Sequence, residues 1–144
     1  MTTGDDFIAL AGKLFAGTSR SSAILRTVVS RSYYGAYHST GDFLIELGIK
    51  RSHQHNFHLD LIESGQPDAK IAGKLLGDLL SKRRLADYEL NDVRAEESKF
   101  TELSVEQARE VQSLLSKIRQ EPARSAVKVG IEAYRQRIGP RSSS

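Results

Sequence analysis

Apolar residues recur three and four positions apart along almost the whole chain, and that spacing leaves little room for any regular structure but helix. Alternating Val, Ile and Thr runs between turn clusters, the mark of strands, are missing, and the 144 residues hold only three prolines to break a helix. The longest stripe is Leu25, Val29, Ser32, Tyr33, Ala36, Thr40, Phe43 and Leu47. It predicts one helix from about Ser21 to Leu47, with Gly48 where helices commonly stop. A shorter helix from Asp5 to Phe15 precedes it, punctuated by Gly17, Thr18 and Ser19.

Downstream, a short helix is expected from Ser52 to about Ser64, and the turn Gly65-Gln66-Pro67-Asp68 launches another to about Tyr88 with the stripe Ile71, Ala72, Leu75, Leu79 and Ala86. Asn91 to Glu102 concentrates Asp92, Arg94, Glu96, Glu97 and Lys99 and reads as a solvated loop. Ser104 and Gln107 form a capping-box pattern that would start the next helix, with Val105, Ala108, Val111, Leu115 and Ile118 inside it. After Glu121-Pro122 a last helix carries Val127, Ile131, Tyr134 and Ile138. Amphipathic helices of this number and length suffice for an all-α fold, an antiparallel bundle of four to five helices with short connections. Residues 1–138 are expected to form one domain and 139–144 a flexible tail.

Cysteine is absent, which excludes a disulfide framework, a thiolate nucleophile and a thiolate zinc site, and suits a reducing compartment. With 21 basic and 18 acidic residues the net charge of +3 permits a nucleic-acid partner without demanding one. No apolar run reaches the roughly 18–20 residues of a membrane span. The start, Met1 to Asp6, is acidic where a signal peptide would be basic, so a soluble cytoplasmic protein without a membrane partner is expected. Phosphate-cradling glycine loops, nucleophile elbows and His-Glu-x-x-His motifs are all missing, and no cofactor is expected.

Two segments stand out. Ser30-Arg31-Ser32-Tyr33-Tyr34-Gly35-Ala36-Tyr37-His38 lies on the long helix, where about 100° of rotation per residue puts Arg31, Tyr34, His38, Asp42 and Ile45 opposite the main apolar stripe. A solvent face carrying Tyr34 and Ile45 implies a second contact surface, although tyrosines at this spacing also serve simply as packing rings. His38, one turn before Asp42, is either an oriented acid/base or a hydrogen-bonded structural histidine. In the second segment, Arg83-Arg84-Leu85-Ala86-Asp87-Tyr88-Glu89-Leu90, Arg83 flanks the apolar stripe and pairs by spacing with Asp87, as Arg84 does with Tyr88. Lys82, Arg83 and Arg84 are a cation cluster at a helix end, or, brought together across a two-fold dimer, a clamp for a phosphodiester.

His53, His55 and His58 lie close in sequence, but His53 and His55 diverge on a helix and only His55 and His58 share a face, so no metal site is expected. The pair Ser52-His53 reads as a helix start, with Ser52 as cap.

Over Ala23 to Leu90 the chain resembles the HEPN family of helical-bundle proteins, in the run Arg31, Tyr33, Tyr34, Tyr37, His38 and in Arg83 followed by Tyr88. The resemblance implies a homodimeric RNA- or nucleotide-binding module of a prokaryotic toxin-antitoxin or defence system, accompanied by a minimal nucleotidyltransferase as partner protein. In ribonuclease members an arginine is followed about four to six residues on by a histidine, and the pair catalyses metal-independent RNA cleavage. Arg83 matches the arginine, but Tyr88 stands where the histidine would be, and a phenol of pKa about 10 is a poor general base at neutral pH. Three readings follow. The first is a binding module whose phosphate site is Arg83, Arg84, Lys82 and Arg31. The second is an endoribonuclease in which Arg83 and Tyr88 act with His38, or with a histidine of the 53–58 segment. The third is a non-catalytic domain that docks a partner through Tyr34, His38 and Ile45.

Overall fold

The computed structural model describes residues 1–17, 20–50 and 56–139. Among these residues all regular structure is helical: α1 (Gly4–Ala16), α2 (Ser22–Glu46), α3 (Phe57–Glu63), α4 (Pro67–Tyr88), a 3-10 turn (Val93–Glu96), α5 (Ser98–Ile118) and α6 (Ala123–Ile138). The all-α helical bundle expected from the periodicity forms, with six α-helices, of which α3 has seven residues. None of the described helices is long and apolar enough to cross a membrane.

Helix limits follow local chemistry. Thr3 and Asp6 cap α1 reciprocally: the Thr3 hydroxyl accepts from the Asp6 N–H at 3.2 Å and the Asp6 carboxylate from the Thr3 N–H at 2.8 Å. The backbone bond from Thr3, followed by its hydroxyl, holds the Asp6 carboxyl below its ordinary pKa. α2 ends as expected at Gly48, with φ at 77°. There the Gly48 N–H donates to the Ile45 carbonyl and the Ile49 N–H reaches back to Leu44, a wrap that satisfies the last carbonyls. α4 starts under Gln66, whose side-chain oxygen accepts from the Ala69 N–H at 2.8 Å.

Three expectations change. The Ser104–Gln107 capping box does not form, because α5 begins at Ser98; Ser104 is fully buried inside it and its hydroxyl donates to the Phe100 carbonyl at 3.0 Å. The charged segment from Asn91 to Glu102 is correspondingly not all loop: it holds the 3-10 turn and the first turn of α5. Its charges concealed the apolar positions Ala95 and Phe100, which pack with Val29, Leu85 and Ala86. Ile71 and Ile138, placed on apolar stripes, are exposed. The buried face of α4 runs instead through Ala69, Ala72, Leu76 and Leu79, where alanines allow close approach and leave Ile71 just off the face. Ser52, His53, His55 and the tail beyond Gly139 lie outside the described residues.

The chain divides into two compact units, each drawn from two stretches of sequence. The first comprises Met1–Ser39 and Leu75–Gln112, apart from Thr18 and Ser19, and contains α1, most of α2, the C-terminal half of α4, the 3-10 turn and most of α5. One of its clusters joins Ala11, Val28 and Val105 with Leu14, Phe15 and Ile24. The start of α1 lies so close to α2 that a Cβ on Gly35 would fall 2.5 Å from Ile8 Cγ1 and 2.8 Å from the Gly4 carbonyl, so only glycine fits. The second unit comprises the described residues of Thr40–Lys74 and Ser113–Ser144. There α3 packs on α6, where a Cβ on Gly130 would fall 1.9 Å from the Ser64 carbonyl. Asp60, wholly buried, receives Arg135 in a two-toothed pair, Nε to Oδ1 at 3.0 Å and Nη2 to Oδ2 at 2.8 Å.

Candidate phosphate-binding site

The first unit gathers an unusual density of rings and cations around Arg83. α2 contributes Tyr33, Tyr34, Tyr37 and His38, α4 contributes Arg83, Asp87 and Tyr88, and α1 contributes Phe7. Helical spacing sets the local pairs. Arg83 Nε lies 3.1 Å from Asp87 Oδ2 one turn on, and Tyr34 stacks on His38 with ring centroids 6.4 Å apart. Packing of α2 against α4 adds the rest. Ser30 Oγ donates to Asp87 Oδ2 at 3.2 Å, and Arg83 Nη2 donates to the hydroxyls of both Tyr34 and Tyr88, the latter at 3.2 Å.

The Arg83 guanidinium thus sits in a cage of three rings, with its carbon 5.0 Å from the Tyr34 centroid, 5.1 Å from Tyr88 and 6.0 Å from Tyr33. Its side chain is 17% exposed. Partial burial opposes its charge, but the Tyr34 hydroxyl, then Tyr88 and Asp87, outweigh that cost and raise its pKa, so it is a permanent cation. The Nε contact with Asp87 is ionic, not a well-aligned hydrogen bond: the buried Nε–H has no acceptor in line. Tyr33 is buried, and burial, followed by repulsion from Tyr37, raises its phenol above the ordinary value; it is neutral at pH 7.

Chemically, the arrangement is a fixed cation backed by two phenols. A hydroxyl that accepts from a guanidinium keeps its own proton to donate, and the bond it accepts polarises it toward donation. Tyr34 is half-buried and Tyr88 is 69% exposed, so the second phenol stands at the surface.

The other expected residues distribute unevenly. His38 lies one ring away from Arg83, packed among Tyr34, Tyr37 and Phe7. Arg31 lies over the Phe7 ring at 5.5 Å, and Arg84 is exposed. Lys82 is turned onto α5, donating to Gln107 Oε1 at 2.6 Å with its ammonium 5.4 Å from the Phe100 centroid. Burial lowers its pKa. The expected Arg84–Tyr88 pair is replaced by Arg83–Tyr88, one residue earlier. Asp42 and Ile45 are exposed on the part of α2 that belongs to the second unit, as does His58 of α3. Among the described residues no three His, Asp or Glu side chains converge to hold a metal, while His53 and His55 lie outside them.

Sequence reasoning missed Arg26. Its guanidinium, 11% exposed, donates to the carbonyls of Leu85, Ala86, Glu89, Leu90 and Asp92 and pairs with Glu96 at 2.6 Å. It therefore closes the carbonyl end of α4 and pins the turn that follows Tyr88. The available signal was a cation between Leu25 and Val29 of the apolar stripe. Phe7, the ring beneath Arg31 and His38, was likewise unremarked among the apolar positions of α1.

No family model matches the chain, and neither a curated protein nor a solved structure matches it.

Proposed function

We propose that the protein is a HEPN-like RNA- or nucleotide-binding module that grips phosphate at Arg83, Tyr34 and Tyr88. One observation carries this reading: a caged, permanently charged guanidinium whose phenol partners retain protons to donate. Such a cluster offers a cation and two hydroxyls of the kind that bind a phosphate oxygen, with the Asp87 carboxylate offsetting part of the charge. Arg84, exposed beside it, adds sequence-independent attraction. The homodimer, the toxin-antitoxin or defence setting and the minimal nucleotidyltransferase partner belong to the same reading, through the family resemblance. Fluorescence anisotropy with a labelled single-stranded RNA over a salt series tests it. Binding that weakens with salt, and a slope reduced by about one on Arg83→Ala, is expected. An Arg83→Ala protein that binds like the wild type at every salt concentration would overturn it.

A second reading, metal-independent RNA cleavage, is favoured by His38 stacking on the same Tyr34 that Arg83 holds. It requires cleavage in EDTA that is lost in both Arg83→Ala and His38→Ala. Intact RNA leaves the binding reading alone in place.

A further inference from the structure

Directly after Tyr88 the chain forms an open depression of about 600 Å³ lined by Tyr88, Glu89, Leu90, Asn91, Asp92 and Val93. Its chemistry is not that of a solvated turn. Tyr88, Leu90 and Val93 are all more than 60% exposed, three large apolar surfaces on one six-residue stretch. Of its two carboxylates, Asp92 is already neutralised by Arg94, whose Nη2 lies 2.6 Å from Oδ2, and Glu89 is solvated. Asn91 adds an uncharged amide to the lining.

The depression is also held in shape. Arg26 binds the carbonyls of Glu89, Leu90 and Asp92, and the Arg94 N–H donates to Asp92 Oδ1 at 3.0 Å. A pocket whose backbone is ordered before binding loses little entropy when a ligand enters. At its head stands Tyr88, with one ring face toward the Arg83 guanidinium and the rest of the ring open. A largely exposed ring polarised by a cation, beside a phosphate anchor, is suited to stacking with a nucleobase.

We infer that residues 88–93 form a nucleobase-binding subsite, in which an unpaired base of a single-stranded RNA stacks on Tyr88 while its phosphate is held at Arg83. This rests on the phosphate-binding reading above and deepens it. A base within a duplex presents no free face to Tyr88, so strandedness, not sequence, is what the subsite selects.

The test uses the full chain and a short RNA carrying one 2-aminopurine, whose fluorescence falls when the base stacks. Expected results are quenching on wild-type binding, an affinity loss of roughly 5- to 150-fold with loss of quenching in Tyr88→Leu, and retained quenching in Tyr88→Phe. The same RNA fully paired should bind at least about tenfold more weakly, and the corresponding free mononucleotide should compete only at much higher concentration. If wild type and Tyr88→Leu bind with equal affinity while Arg83→Ala does not bind, the subsite is wrong and the phosphate site stands. If the duplex or the mononucleotide binds as tightly as the single strand, the inference is overturned in its ligand. If the wild type binds none of them, the phosphate reading falls and takes this one with it. Circular dichroism of each variant keeps a folding defect from counting as either result.

Discussion

One arginine of each unit, Arg135 in the second and Arg83 in the first, is used in opposite ways. In the second, Arg135 meets a fully buried carboxylate through two short, parallel bonds, Nε to Oδ1 and Nη2 to Oδ2, and also binds the Lys50 carbonyl. Its donors are spent on the fold. In the first, Arg83 is ringed by phenols, its Nε has no aligned acceptor, and its carboxylate partner Asp87 is shared with Ser30. The contrast teaches that an arginine's role is read from how completely its donors are matched, not from its burial alone, since the two side chains are 15% and 17% exposed.

The comparison breaks first, and with the largest effect, at Arg135. Arg135→Ala leaves the Asp60 carboxylate buried and unpaired and should lower unfolding stability by about 3–5 kcal/mol, measured by urea denaturation, with no direct effect on RNA affinity. A loss below about 1 kcal/mol would put Arg135 in the same class as Arg83 and dissolve the distinction.

Arg26 sharpens it from within the first unit, because this arginine is as fully matched as Arg135. Arg26→Met should cost about 1.5–3 kcal/mol and speed amide exchange selectively in residues 89–96, where it holds the carbonyls of Glu89, Leu90 and Asp92 and the Glu96 carboxylate. Exchange rising uniformly across the chain would show that Arg26 supports the fold at large instead of pinning that turn.

Arg83→Ala should change stability by less than about 1 kcal/mol, since it gives up one imperfect ion pair and bonds to phenols that water can replace. Its effect belongs to binding. A stability loss equal to that at Arg135 would make Arg83 a structural residue and remove the ground for the proposed function.

The smallest effect concerns pH. Hydrogen bonds from the Arg94 side chain, and next from its backbone, hold the Asp92 carboxyl down at about 2, below its ordinary 3.8. Because the folded value is the lower one, the contribution is present above about pH 4 and is lost as pH falls through about 2. An NMR titration of the Asp92 side-chain carboxyl should show a midpoint near 2 that returns toward the ordinary carboxylate range in Arg94→Ala. A midpoint unmoved by that change would assign the shift to the Arg94 backbone N–H, which the variant keeps.

Much of the helical layout was legible in the chain. The α2 stripe placed that helix within a residue at each end, and Gly48 stopped it where expected. The start of α5 was hidden because Ala95, Phe100, Thr101 and Ser104, which turn inward there, are outnumbered by charges and include hydroxyls. Ser104 imitates a cap in sequence, yet a hydroxyl inside a helix satisfies itself equally well on the carbonyl one turn back. Of the site, Arg83–Asp87 was readable because one helical turn brings residues four apart together whatever the rest of the fold does.

The helical class, most helix limits and the pairs within one turn can thus be read from the chain, because these depend on backbone periodicity and nearest neighbours. The meeting of Tyr34 with Arg83 across 49 residues, and the closing of a helix end by Arg26 some 60 residues away, arise only in the packed fold. Those partners depend on which helix faces lie against one another, and helix packing is set by side-chain shape summed over the whole interface, a quantity no local window of sequence contains.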